Sequence, residues 1–148
     1  MQLKVNKRII SFFLIFISIF SFFLGFYFNE NSAGAGSYNG DILTVWKNLQ
    51  IFLSNDLISS IEHKEYITSR TPIVYLFHEI FNPLTHDIES FRLSVLIFSL
   101  LIPILFFYCL KQKFVKEDNL LLLLISSTIL LSPYFRTSAY WGLEENFG

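Results

Sequence analysis

Ile9 to Phe28 reads IISFFLIFISIFSFFLGFYF, an unbroken apolar run with no charged residue. At a helical rise of about 1.5 Å per residue it reaches about 30 Å, the thickness of a bilayer's hydrocarbon core. The same composition returns from Phe91 to Leu110, and again, for a shorter distance, from Leu120 to Leu131. A chain of 148 residues that is 53% hydrophobic and 18% aromatic, with 18 phenylalanines, cannot fold in water without exposing broad apolar faces. Lipid is therefore its expected solvent. The expected fold class is an all-α membrane protein with about three transmembrane helices, over 9–28, 91–110 and 119–135, and two amphipathic surface helices in the first outer loop, 29–90.

Charge sets the expected orientation. Lys4, Lys7 and Arg8 precede the first run and Lys111, Lys113 and Lys116 follow the second, which puts both flanks, and the N-terminus, on the cytoplasmic side of a multi-pass protein. Between them, Glu30, Asp41, Asp56, Glu62, Glu65, Glu79, Asp87 and Glu89 outweigh Lys47, Lys64 and Arg70. This acidic segment belongs on the outer side of a bacterial plasma membrane or an ER membrane. No basic patch suggests nucleic acid, and the single Cys109 allows neither a disulfide nor a thiolate metal site. Ala33-Gly34-Ala35 also fits a signal-peptide cleavage pattern. The run before it exceeds the usual apolar core of about 7–15 residues, so a retained anchor is expected.

Within the loop, Asn31 to Gly40 is too rich in Gly, Ser, Ala and Asn for regular structure. Ile42, Val45, Trp46, Leu49 and Leu53 then recur at helical spacing, opposite Thr44, Lys47, Asn48 and Gln50, and predict an amphipathic helix on the membrane surface. Ser54 to Ser69 shows no strong period. Thr71-Pro72 signals the start of a second helix carrying Ile73, Val74, Phe77, Ile80 and Phe81, which Asn82-Pro83 ends. A further start at Thr85 to Glu89 leads into the second span, where Pro103 is expected to kink the helix. The third run covers only about 18 Å unless it continues through Pro133 toward Trp141, and that extension carries Arg136, which must then face protein or a wet cavity.

Asp41 is the leading candidate for chemistry, since it begins a surface helix beyond the first span; an ordinary helix cap is the competing reading. Glu144 and Glu145 lie on the same side, where they can meet Asp41 across a shared cavity, hold a divalent cation or supply a general base, or else simply open a solvated helix. Arg70, Arg92 and Arg136 fall near the outer interface, where a guanidinium can grip phosphate or serve as an anchor. His63, His78 and His86 share no helical face and read as surface residues. Trp46, Tyr66, Tyr134, Tyr140 and Trp141 read as an interfacial aromatic belt. No phosphate loop or nucleophile elbow is present.

Taken in order, several of these segments resemble the N-terminal region of the GT-C superfamily of membrane glycosyltransferases. Tyr38-Asn39-Gly40-Asp41 with the helix through Phe52 looks like the acidic first outer loop of that superfamily. Thr68-Ser69-Arg70-Thr71-Pro72-Ile73-Val74-Tyr75-Leu76 is similar to the helix that follows in the protein mannosyltransferase and lipid A aminoarabinose transferase branches, and to its counterpart in dolichyl-phosphate-glucose glucosyltransferases. Ser90-Phe91-Arg92-Leu93-Ser94 looks like an Arg-Leu signature opening the second span, and Leu131-Ser132-Pro133 with Glu144-Glu145-Asn146 like the end of the third helix and the acidic second outer loop. Many branches carry a second acid after the first; here Ile42 follows Asp41.

The resemblance implies transfer of a sugar, with inversion, from a polyprenyl-phosphate donor to an acceptor hydroxyl of a glycan, lipid or protein on the outer face. Asp41 would be the base, Arg92 or Arg136 would meet the donor phosphate, Glu144 and Glu145 would contact substrate, and a divalent cation is a possible companion. Such enzymes have many more spans, so residues 1–148 are expected to be an N-terminal portion, inactive alone and interrupted at Gly148. The rival expectation is a small three-span, non-enzymatic subunit or assembly factor whose acidic loop docks a partner.

Overall fold

A computed structural model describes residues 7–34, 36, 40–67 and 72–146. Lys4, Ala35, Tyr38, Asn39, Thr68 to Thr71 with Arg70, and Phe147 lie outside the described residues. Among the described residues every regular element is helical. The helices are α1 (Lys7–Tyr27), α2 (Asp41–Ser54), α3 (Leu57–Ile61), α4 (Ile73–Phe81), α5 (Ile88–Ser99), α6 (Leu101–Lys113), α7 (Asn119–Ser127) and α8 (Pro133–Tyr140), with 3₁₀ turns at Thr128–Leu131 and Glu144–Asn146.

Among the described residues two helices are long and apolar enough to cross a membrane: α1, and α5 with α6 taken as one helix of 26 residues. The seam between α5 and α6 falls at Leu100, one turn before Pro103, which cannot supply the N–H that the Ser99 carbonyl would otherwise receive. The third run does not continue straight. α7 and its 3₁₀ turn meet α8 at an angle of 67°, because Ser132 is extended before Pro133, as residues preceding proline are, and caps the new helix by accepting from the Phe135 N–H. Counted as one broken span, this pair makes a third candidate.

Burial is concentrated at one end, where α1 finishes, α5 begins and the loops collect. Phe22, Ile42, Leu49, Phe52, Tyr75, Phe91, Val95, Tyr140 and Trp141 form the core there. Over its whole length α1 buries only the stripe Ile15, Ser18, Phe22 and Gly25, and it leaves Ile9, Phe12, Phe13 and Phe16 exposed. α7 packs on both α1 and α6, and Ile15, Ile19, Phe23, Phe107 and Leu123 line an apolar groove of about 340 Å³ between the three. Hydroxyls inside these helices bond their own backbone: Ser18 to the Leu14 carbonyl at 2.9 Å, Ser126 to Leu122 at 2.9 Å and Ser127 to Leu124 at 2.8 Å. None of the three needs water.

The loop helices depart from expectation in two ways. Asn48, expected on the polar face of α2, is buried, because it holds the strand of chain at Ile67 by donating to its carbonyl at 3.1 Å and accepting from its N–H at 3.3 Å. α3 arises inside the interval without period, started by Asp56, whose carboxylate accepts from the N–H groups of Ile58 and Ser59. α4 is turned the opposite way from a water-soluble helix: Tyr75 and His78 face inward while Ile73, Ile80 and Phe81 are exposed. The interior needs groups that can satisfy one another there, and the aliphatic side chains are left for an apolar exterior.

His78, expected at the surface, is 2% exposed, packed edge-on to the Phe91 ring and bonded through Nδ1 to Asn82, which in turn donates to Ser94 at 2.7 Å. Burial pushes its imidazole down from the ordinary 6.5 to about 4. Between those values the unfolded chain takes up a proton that the folded chain refuses, so stability is complete above the unfolded value and falls as pH drops toward the folded one. Unfolding in neutral detergent should show a loss of about 2 kcal/mol between pH 7 and 5 from this residue. The difference should disappear in His78→Phe, which keeps a ring against Phe91; an equal pH slope in that variant would assign the loss elsewhere.

Candidate functional site

Three segments distant in sequence close one polar cleft at the loop-bearing end. α2 begins after Gly40, which occupies the cap position without a side chain to offer; Asp41 is the first helical residue, exposed, and its carboxylate caps nothing. The capping reading of Asp41 therefore gives way to a carboxylate standing in the positive end of the helix field. α4 contributes Tyr75. The third segment is the turn after α8, where Gly142 takes a left-handed φ of 65° and lies so close to the Phe91 ring that a Cβ there would stand 2.8 Å from it. That reversal brings Leu143 N–H to the Ser138 carbonyl at 3.0 Å and turns Glu144 inward.

Glu144 is 4% exposed, so it does not open a solvated helix. Its carboxylate accepts from the Tyr75 hydroxyl, which itself accepts from Asn48 Nδ2 at 3.1 Å. Burial, and then the bond to Glu144, raise the Tyr75 phenol well above its usual range, so it remains a donor. Tyr66 is raised too, by burial first and by the nearby Glu144 charge second. Glu145 is exposed, with Ser138 Oγ at 3.5 Å, and Asn146 fastens the turn by donating to the Phe135 carbonyl at 3.1 Å.

Asp41, Thr44, Asn48, Tyr75, Glu144 and Glu145 line a cleft of about 150 Å³. A second hollow of about 140 Å³ shares Asp41, Leu143 and Glu145 with it and extends to Tyr134 and Thr137. Asp41 and the Glu144-Glu145 pair thus meet in space. Among the described residues no three His, Cys, Asp or Glu side chains stand close enough to hold a metal ion; the cleft presents carboxylate, amide and hydroxyl oxygens.

Of the three candidate arginines, the two among the described residues, Arg92 and Arg136, are buried and bonded within the chain. Arg136 donates to Ser21 Oγ at 3.0 Å and to the Ser21 carbonyl at 2.9 Å, and pairs with Glu30. It does face protein rather than lipid. Arg92 donates to the Tyr140 carbonyl, Asn29 and Glu89. Trp141, assigned to an interfacial belt from sequence, is buried and donates to the Glu30 carbonyl at 3.0 Å; Tyr140 is likewise buried and donates to the Phe22 carbonyl at 2.6 Å. Sequence reasoning missed Asn48, Tyr75 and Glu30. A buried Arg136 demanded an acid, and Glu30 just beyond α1 was the signal that could have found it. Compared with family models, curated proteins and solved structures, the chain finds no match.

Proposed function

We propose that this chain is part of a membrane glycosyltransferase that moves a sugar from a polyprenyl-phosphate donor to an acceptor hydroxyl, with its N-terminus cytoplasmic and its loop-bearing end outside. The observation that supports the reading is the convergence of Asp41 with Glu144 and Glu145 on one cleft. In this reading the acceptor hydroxyl enters beside Asp41, whose exposed carboxylate takes its proton. The acceptor oxygen forms its bond to the anomeric carbon from the face opposite the phosphate, which leaves with the electron pair of the broken carbon–oxygen bond. Glu144, oriented by Tyr75, and Glu145 receive hydrogen bonds from sugar hydroxyls. Lipid covers the exposed faces of α1, α6 and α4, and the acceptor is a glycan, lipid or protein.

Asp41→Asn should abolish sugar transfer by the membrane-embedded enzyme supplied with lipid-linked donor, a fall of at least about a hundredfold, with unchanged thermal stability. Activity retained in that variant would remove Asp41 as the base. The exposed row Ile73, Ile80 and Phe81 on α4 favours a second reading, a non-enzymatic subunit that docks a partner through this end. Co-purification of a partner protein that Ile80→Glu releases, with no transferase activity in the intact complex, would favour that alternative.

A further inference from the structure

Phe26 and Tyr27 at the end of α1, Asn29 in the turn beyond it, and Glu89 and Arg92 on α5 line an open cavity of about 350 Å³. That volume lies at the lower end of the range of about 300–1,000 Å³ usual for small-molecule sites. Arg92 is 2% exposed, and its guanidinium lies 4.2 Å from the Trp141 ring and 5.3 Å from the Phe26 ring. Nε donates to the Tyr140 carbonyl at 2.8 Å and Nη2 to Asn29 Oδ1 at 3.0 Å, so the plane of the group is held from two edges. Nη1 alone meets Glu89, at 3.2 and 2.9 Å from its two oxygens.

This is not the two-nitrogen fork in which a guanidinium binds carboxylate or phosphate best. The Glu89 side chain is also 58% exposed, against 3% for Arg92. An ion pair with one member buried and the other largely in solvent is weakened by solvent screening, and the exposed member is the one with room to exchange. Arg92 stands one turn into an apolar helix long enough to span and shares its hollow with the exposed ring of Tyr27, the kind of level at which lipid headgroups meet aromatic side chains.

We propose that Arg92 is the binding site for a lipid headgroup phosphate and that Glu89 is its exchangeable counter-ion. Glu89 neutralises the guanidinium while the cavity is empty and swings into solvent when a phosphate oxygen takes Nη1. The inference rests on the reading of Arg92 as a donor-phosphate residue and adds the group that must leave.

The stacking of Arg92 on Trp141 supplies the readout. The chain has two tryptophans, so a Trp46→Phe background leaves Trp141 as the reporter. Full-length protein in neutral detergent is titrated with dihexanoyl phosphatidic acid, with dihexanoylglycerol and inorganic phosphate as parallel arms. Phosphatidic acid should change Trp141 emission saturably, about fivefold more tightly in Glu89→Gln and about fivefold more weakly in Asn29→Asp, which sets a second carboxylate against Nη2 without removing the guanidinium. Arg92→Gln should abolish the response, and Asn29→Asp carries the same test should that variant not fold. Equal affinity in wild type and Glu89→Gln, with weakening in Asn29→Asp, would overturn the counter-ion role and leave the phosphate reading standing. Unchanged titrations in both Asn29→Asp and Arg92→Gln, or no saturable response in wild type, would overturn both. Inorganic phosphate as effective as the lipid would overturn the headgroup assignment.

Discussion

Glu30→Leu is expected to destabilise the fold by about 3 kcal/mol, although Glu30 touches neither the cleft nor a ligand. The reason lies in its partner. Arg136 is 8% exposed, and its guanidinium is framed by Ser21 and Glu30 in the crevice between α1 and α8. Losing the carboxylate leaves a buried cation whose remaining acceptors are neutral, and breaking a buried pair from one side costs far more than the pair contributes when intact. The double replacement Glu30→Leu with Arg136→Met should therefore recover most of the loss. Denaturant unfolding of the two single variants and the double variant measures this as a cycle. Single losses that simply add would show that the two residues are not coupled.

The second large effect is expected at Gly25. Alanine normally stabilises a helix interior by about 1 kcal/mol over glycine. At Gly25 the sign should reverse, because an added Cβ would meet Arg136 Nη2, Glu30 Oε2 and Tyr140 Oη, all closer than 3.0 Å. Those atoms end long side chains, but each is already tied: Arg136 to Ser21, Glu30 to Arg136, and Tyr140 to the Phe22 carbonyl. The methyl must push the ion pair apart to enter. Gly25→Ala should cost about 3 kcal/mol, close to the Glu30 variant, and the two should combine to little more than either alone. A Gly25→Ala protein as stable as wild type would mean that the pair yields without loss.

What was legible in the sequence was whatever depends on neighbours along the chain. The apolar runs, the start of α5 at Asp87 and the helix after Gly40 are local, and each appears within a few residues of its expected place. That Arg136 would face protein followed from solvation alone. Features that depend on which faces meet were not legible. Periodicity located α4 but did not say which of its faces turns inward, because a pattern of apolar residues looks the same whether it covers a protein core or faces lipid. Asn48 and Tyr75 are 27 residues apart, and Tyr75 and Glu144 are 69 apart; their bonds exist because α2, α4 and the turn after α8 pack together. The meeting of Asp41 with Glu144 and Glu145 was reached by placing both segments on one side of a membrane.

Nearly all tight packing in this molecule lies at the end that carries the cleft, while α1, α6 and α7 enclose an apolar groove further down. Mechanically the chain resembles a tripod with a welded head and compliant feet. Were the chain set in a bilayer, one that thins, thickens or changes composition would load the feet first, and the helices would splay or close around the groove. Little of that strain would reach the ion pairs at the head. Were the cleft to act as proposed, its carboxylates would thereby be insulated from strain in a surrounding bilayer.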